Sequence, residues 1–184
     1  MSPILGIIAS SKLTAAAGDY ESIATVTVGS GGSSQIDFTG ISTSDYKHLQ
    51  IRASFLCSNT VNPYFRVGGS SIDSAGNYAW HHLYGDGSSA LNNGSSGASF
   101  VYFGYSQNTS NANVVVIDIL DYANTNKNKT FRILAGQDNN GGGEVALWSG
   151  AWFNSGTAIE KISLYPSSGT FSQYSHFALY GCKS

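Results

Sequence analysis

Charge is scarce in this chain. Nine Lys and Arg and eleven Asp and Glu make up 11% of its 184 residues, against about 25% in an ordinary soluble domain. A nucleic-acid surface needs clustered Lys and Arg, but the basic residues here are scattered and the formal net charge is −2, so no nucleic-acid partner is expected. The nearest cluster, Lys127, Lys129 and Arg132, falls in and just after a polar turn, where a solvated hairpin tip is expected. Cysteine is nearly absent. Cys57 and Cys182 are the only two, too few and too distant for a disulfide framework. Both sit in apolar strand contexts and read as reduced core residues, with a bridge closing the long loop between them left open. No apolar run approaches the ~18 residues of a membrane span, so no membrane partner is expected. Helical periodicity is missing too, since no 3.6-period stretch exceeds two turns.

What the chain does contain is a succession of short alternating runs bounded by Gly, Ser, Asn and Thr. Leu49, Ile51, Ala53, Phe55 and Cys57 face one way while His48, Gln50, Arg52 and Ser54 face the other, the pattern of a strand with one dry and one wet face. Similar runs cover residues 22–28, 35–38, 63–67, 77–84, 98–105, 113–122, 130–134, 144–153, 158–165 and 171–181. Val114, Val115, Val116 and Ile117 are apolar on both faces, so that strand is expected to be central and covered on both sides. Residues 85–97, rich in Gly, Asp, Ser and Asn, read as a long loop of a length often tied to function. Strands this short must pair into sheets that pack face to face. The expected fold is all-β: an antiparallel β-sandwich of about ten strands, jelly-roll-like, with an N-terminal extended arm. One domain, residues 20–184, accounts for the chain, which is too short for two independent cores.

The opening segment has an apolar stretch that suggests a signal peptide, but it lacks a basic n-region and Lys12 interrupts it before Ala15-Ala16-Ala17. Residues 1–19 are therefore expected to be an arm that docks on a neighbouring subunit through Pro3, Ile4, Leu5, Ile7 and Ile8.

Adjacent residues on a strand point to opposite faces, so His81 and His82 cannot chelate one ion together. A metal site would need Asp73, Asp86 or His176 brought in by the fold, and no ligand spacing supports one. Glycoside hydrolysis needs two carboxyls roughly 5–9 Å apart. Asp118 and Asp121, or Asp73, Asp86, Asp138 and Glu144, offer no spacing that singles out such a pair. No Gly-x-Ser-x-Gly elbow precedes a helix. No catalytic residue, metal or cofactor is expected, and the protein is not expected to be an enzyme.

Sugar binding is the stronger ligand reading. Trp80, Tyr84, Trp148, Trp152 and Tyr105 lie at strand positions near polar loops, and aromatic faces beside Asp, Asn and His suit carbohydrate. The candidate ligand contacts are Trp80, His81, Tyr84, Asp86 and Tyr105. Against this, Trp148 and Trp152 share a face, which favours a core or a subunit interface. Aromatics at 12% with so little charge suit permanent contact with other subunits; an extracellular β domain has a comparable make-up.

Four segments carry a family resemblance: Tyr46-Lys47-His48-Leu49-Gln50-Ile51-Arg52, Tyr78-Ala79-Trp80-His81, the run from Val116 through Asp118, Asp121 and Tyr122 to Lys127, and the run from Phe171 through His176 and Phe177 to Gly181. Together with the opening Pro3 to Ser11 and the stretch from Tyr20 to Val28, they resemble a family of tailed-bacteriophage virion proteins frequent in phages of cyanobacteria and other aquatic bacteria. The resemblance covers nearly the whole chain and brings no catalytic motif with it. Related sequences occur as capsid proteins and as terminal parts of tail fibres. Lacking a shaft or adaptor, the chain is expected to be a cement or decoration protein on the capsid exterior. Its expected partners are itself, as a homotrimer, and the major capsid protein. The alternative is a tail or fibre-tip receptor-binding protein whose partner is a host-surface glycan.

Overall fold

The computed structural model describes residues 19–105, 110–140 and 142–183. The expected arm, with Pro3, Ile4, Leu5, Ile7 and Ile8, lies outside the described residues apart from Asp19. Among the described residues there is no helix; twelve strands form two antiparallel sheets. In chain order they are β1 (Tyr20–Thr27), β2 (Ile36–Thr39), β3 (His48–Phe55), β4 (Tyr64–Gly68), β5 (Tyr78–Gly85), β6 (Ala90–Ala98), β7 (Val101–Tyr102), β8 (Asn113–Leu120), β9 (Lys129–Asp138), β10 (Gly143–Trp152), β11 (Lys161–Tyr165) and β12 (His176–Cys182). The large sheet runs β1-β12-β3-β8-β9-β10-β5-β6 and the small one β2-β11-β4-β7. The fold is the expected all-β sandwich, split eight strands against four.

Strict alternation decides which side of each strand is dry. On β3 the inward set Leu49, Ile51, Ala53 and Phe55 is buried, and on β9 Phe131, Ile133 and Ala135 are. Each fully buried side chain of this size contributes about 1.5–3 kcal/mol of transfer free energy. Phe55 centres the core. Its ring lies 5.5 Å from Phe103, 5.7 Å from Phe171 and 5.9 Å from Phe177, within the range where aromatic pairs add to simple burial. Cys57 is buried beside this cluster, and no disulfide joins it to Cys182.

Two tyrosine hydroxyls pin chain segments together from within. Tyr78, on β5 of the large sheet, is fully buried; its hydroxyl accepts from Val67 N at 3.0 Å and lies 2.9 Å from both Val67 O and Asp73 O. Tyr122, also fully buried, donates to the Ser42 carbonyl. Burial raises both phenols, Tyr122 to about 12 from an ordinary 10.0. A folded-state pKa above the unfolded one means that the native state holds the extra proton between the two values. The stabilisation is therefore intact below pH 10 and drains away as pH climbs towards 12. Urea midpoints should fall steadily above pH 10, and Tyr122→Phe should flatten part of that fall. A wild-type midpoint unchanged up to pH 11.5 would contradict this account.

Two expectations need correction. Residues 85–97 are not a long loop: Ala90–Ala98 is an edge strand paired with β5 from Tyr78↔Ala98 to Gly85↔Ala90, with one bulge. Its polar composition fits an edge, which needs backbone pairing but little apolar packing. Gly94 suits the close pairing there, because a Cβ at this position would stand 3.2 Å from Trp80 O and would push the exposed His81 ring, 2.9 Å away at Cδ2, aside. Lys129 is not part of a solvated hairpin tip. It is fully buried, while its neighbours Lys127 and Arg132 are exposed as expected.

The outward face of β8 also departs from expectation. The strand is central in the large sheet and its inward residues Val115, Ile117 and Ile119 are buried, but Val114 is 59% exposed. Within the described residues only one of its two apolar faces is covered.

Candidate functional site

The large sheet extends past the small one on the β5–β6 side, and a cleft of about 400 Å³ forms beneath that overhang. Alternation builds most of its wall. Trp80, His82 and Tyr84 leave the inner face of β5, and Leu91 and Asn93 leave the matching face of β6. Glu144 and Trp148 do so from β10, while Tyr102 on β7, Gly104, Tyr105 and Asn62 close the far side. The His82 ring is sandwiched: it stacks 4.2 Å from Trp148 at 3° and 4.5 Å from Tyr84 at 14°. Trp80 meets Tyr102 edge to face at 5.3 Å. The wall is thus a continuous aromatic surface built on strands, which hold side chains more rigidly than loops do.

Polar atoms within this wall lack partners. Asn62 Oδ1, Trp80 Nε1 and His82 Nε2 are buried and make no hydrogen bond. An unmet buried donor or acceptor costs about 1–3 kcal/mol, and native structures keep few of them. Burial also lowers the His82 pKa below its ordinary value, so the ring is neutral at pH 7 and offers one donor and one acceptor nitrogen. At the mouth, Asp86 accepts from Ser88 N and Ser89 N at 2.9 and 2.7 Å and from Ser88 Oγ at 2.9 Å. The backbone hydrogen bonds, first of all, hold its carboxyl below the usual range. Among the described residues neither Lys nor Arg lines the cleft.

Of the five residues picked out from sequence, Trp80, Tyr84, Asp86 and Tyr105 come together here. Trp80 is only 8% exposed, so it is wall rather than an open platform. His81 does not join them. It points to the opposite face of β5, where it lies exposed in a shallow groove with Arg132, Leu147 and Ser149. His82 takes the place expected of His81; the same alternation that separates the two histidines puts His82 with Trp80 and Tyr84. Glu144 is added by the pairing of β10 with β5, and Asn62 and Tyr102 are additions that only the stacking of the two sheets supplies.

Trp148 and Trp152 share the inner face of β10 and are both buried. Trp152 is at the far end of the strand, donating from Nε1 to Asp73 Oδ2 at 2.8 Å. Burial works against ionisation of Asp73, but bonds from Asn77, Trp152 and Ala75 outweigh it and hold that carboxyl low. Asp118 accepts from Gln50 Nε2 at 2.7 Å, and Asp121 pairs with Lys127 in the turn after β8. Each of these carboxylates has a structural partner of its own. Among the described residues no three His, Cys, Asp or Glu side chains gather as a metal-ligand set.

The second surface feature is on the outer side of the large sheet. Register aligns Val116, Leu134, Leu147 and Leu83 directly across β8, β9, β10 and β5. Val114 and Val145 flank that row, each opposite Gly136 on β9. Leu134 is 51% exposed, Leu147 46%, Leu83 55% and Val145 64%. On its other side runs a polar row of Asp118, Arg132, Ser149 and His81. An apolar stripe rimmed by polar residues in the middle of a sheet is the usual form of a protein-contact surface.

Comparison of this chain with protein-family models, with curated proteins and with solved structures finds no match.

Proposed function

We propose that this protein is a structural component of a tailed-bacteriophage virion, a cement or decoration protein that stabilises the capsid from outside and works by contact rather than by catalysis. The observation that carries this reading is the Val116–Leu134–Leu147–Leu83 row with its valine flanks. A central strand that is apolar on both faces needs cover on both, and the described part of the chain covers one. The missing cover is then another protein surface: a neighbouring copy in a homotrimer and, beside it, the major capsid protein. The low charge and high aromatic content agree with a surface kept in permanent contact, and the resemblance of its motifs to those of phage virion proteins suggests the setting. A clamp of this kind stabilises the shell by binding linkage, since its site exists only in the assembled state.

Cryo-electron microscopy or immunogold labelling of intact particles tests the location. Density over the whole shell is expected, and particles stripped of the protein should release DNA at lower temperature. A tail or fibre-tip receptor-binding role is the second reading, and the aromatic cleft under β5 and β6 favours it. Label confined to the tail, or stripped particles that are equally robust but fail to adsorb to cells, would make that reading the correct one.

A further inference from the structure

We propose that the cleft beneath the β5–β6 overhang binds an uncharged carbohydrate, one or two pyranose units at a time, with Trp80 and Tyr84 as its principal contacts. This deepens the second reading, and it rests on that reading only for the cleft being a binding site, not for where on a particle the chain sits.

Size, charge and hydrogen bonding each narrow the ligand. At about 400 Å³ the cleft is near the lower end of the ~300–1,000 Å³ range of small-molecule sites, which excludes large ligands and suits a short sugar. Among the described residues the only acidic or basic side chains along it, His82 apart, are those of Asp86 and Glu144, so an anionic ligand such as a uronic or sialic acid meets acidic groups and no cation there. Two classes remain: a cation held by ring faces, or a neutral polyhydroxylated molecule.

The unmet polar atoms decide between them. Trp80 Nε1 is a donor only, Asn62 Oδ1 an acceptor only, and His82 Nε2 either one. A quaternary ammonium, the usual guest of an aromatic cage, has no hydrogen-bonding group and would leave all three unmet. The His82 faces are moreover already covered by Tyr84 and Trp148, which leaves fewer open ring faces than a cage needs. A sugar has hydroxyls that both donate and accept, set around a ring with apolar C–H faces. The three atoms have almost no accessible surface, so meeting them takes a small shift of the wall; a sugar's hydroxyls can then satisfy them while a C–H face lies against the half-buried ring of Tyr84. A site built to hydrogen-bond hydroxyls also rejects analogues that lack them, because its own buried groups are then left unpaired.

The test uses the whole chain and a fixed set of probes: glucose, galactose, mannose, rhamnose, N-acetylglucosamine, lactose and maltose, with galacturonate, sialic acid and choline alongside. Binding is read by ligand-observed NMR saturation transfer and by tryptophan fluorescence, since Trp80 and Trp148 both line the cleft. At least one neutral sugar should saturate with a Kd below about 5 mM, and the charged probes should bind at least about tenfold more weakly. Trp80→Phe keeps a buried aromatic ring but removes the indole donor together with part of the ring; Tyr84→Ala opens the mouth without touching the deep core. Each should weaken the sugar about tenfold, the size of one lost hydrogen bond or ring contact. Leu134→Asp, on the outer face, should leave sugar affinity unchanged within about twofold while impairing self-association, so failure of the assembly reading and failure of this one show up separately. The proposal is overturned if no neutral sugar saturates below about 50 mM, if choline binds and the sugars do not, or if a sugar binds with unchanged affinity in either cleft variant.

Discussion

Leu134→Asp combined with Leu147→Asp should convert the assembled protein into a monomer that no longer binds particles. The two leucines stand directly opposite each other on β9 and β10, at the centre of the outer apolar row. Each is about half exposed in the single chain, so each has roughly 1 kcal/mol of apolar burial still to gain on assembly. Carboxylates in their place would have to be desolvated against an apolar partner with no counter-ion, which costs several kcal/mol more. A combined loss on the order of 4 kcal/mol is close to a thousandfold in Kd. The fold itself should be nearly untouched, because solvent-facing substitutions of this kind usually fall within about 0.5 kcal/mol. Sedimentation velocity should show the native chain as an oligomer at micromolar concentration and the double variant as a monomer with an unchanged urea midpoint. Equal association of the two proteins would remove the apolar row from the assembly account. A native chain already monomeric at that concentration, and unable to bind capsids, would end the account itself.

The sequence made the outer row partly visible. Val114, Val115, Val116 and Ile117 are legible as a strand apolar on both faces, and the structure places that strand centrally. What supplies the second cover was not legible, because periodicity reports that a face is apolar and not what meets it. Alternation also puts Trp80 and Tyr84 on one face of β5, and it contained the information that His82 and not His81 accompanies them. The edge strand Ala90–Ala98 was illegible for a different reason. Asn92, Asn93, Ser95 and Ser96 have neither β-branching nor apolar alternation, and the strand exists through its ladder with β5. Asn62 and Tyr102 reach the cleft only because the small sheet stacks on the large one, a relation between residues distant in sequence that no local pattern carries. Lys129 was misplaced on the same grounds: polar neighbours suggested a turn tip, while two of the three carbonyls around its ammonium come from another turn some 25 residues further on.

Lys129 should have a large effect on stability for a charged residue. Its Nζ donates to the carbonyls of Asn154 at 3.1 Å, Ser155 at 3.3 Å and Lys127 at 3.3 Å, and it lies 5.7 Å from the centre of the Trp152 ring. Among the described residues no carboxylate comes within ion-pair distance of it. The ammonium therefore ties two turns together while its own burial is unfavourable, and these opposing effects can be separated by substitution. Lys129→Ala removes the buried stem, the ring contact and the three hydrogen bonds, and should cost about 3 kcal/mol, as large-to-small core changes do. Lys129→Met keeps the stem and removes the charge along with its desolvation penalty, so it should cost about 1 kcal/mol or less. The pH dependence gives an independent check. Burial holds the folded-state pKa of Lys129 below its ordinary 10.5. Between those two values the unfolded chain holds the extra proton, so this lysine makes stability rise with pH across that window and level off above it. The wild type minus Lys129→Met difference should show that rise, whereas the tyrosine-driven fall above pH 10 is common to both proteins and cancels. Urea denaturation of the three proteins from pH 7 to 11 measures all of this. If Lys129→Met is as damaging as Lys129→Ala and the difference curve is flat, the three carbonyl bonds, and not the packed stem, carry the stability.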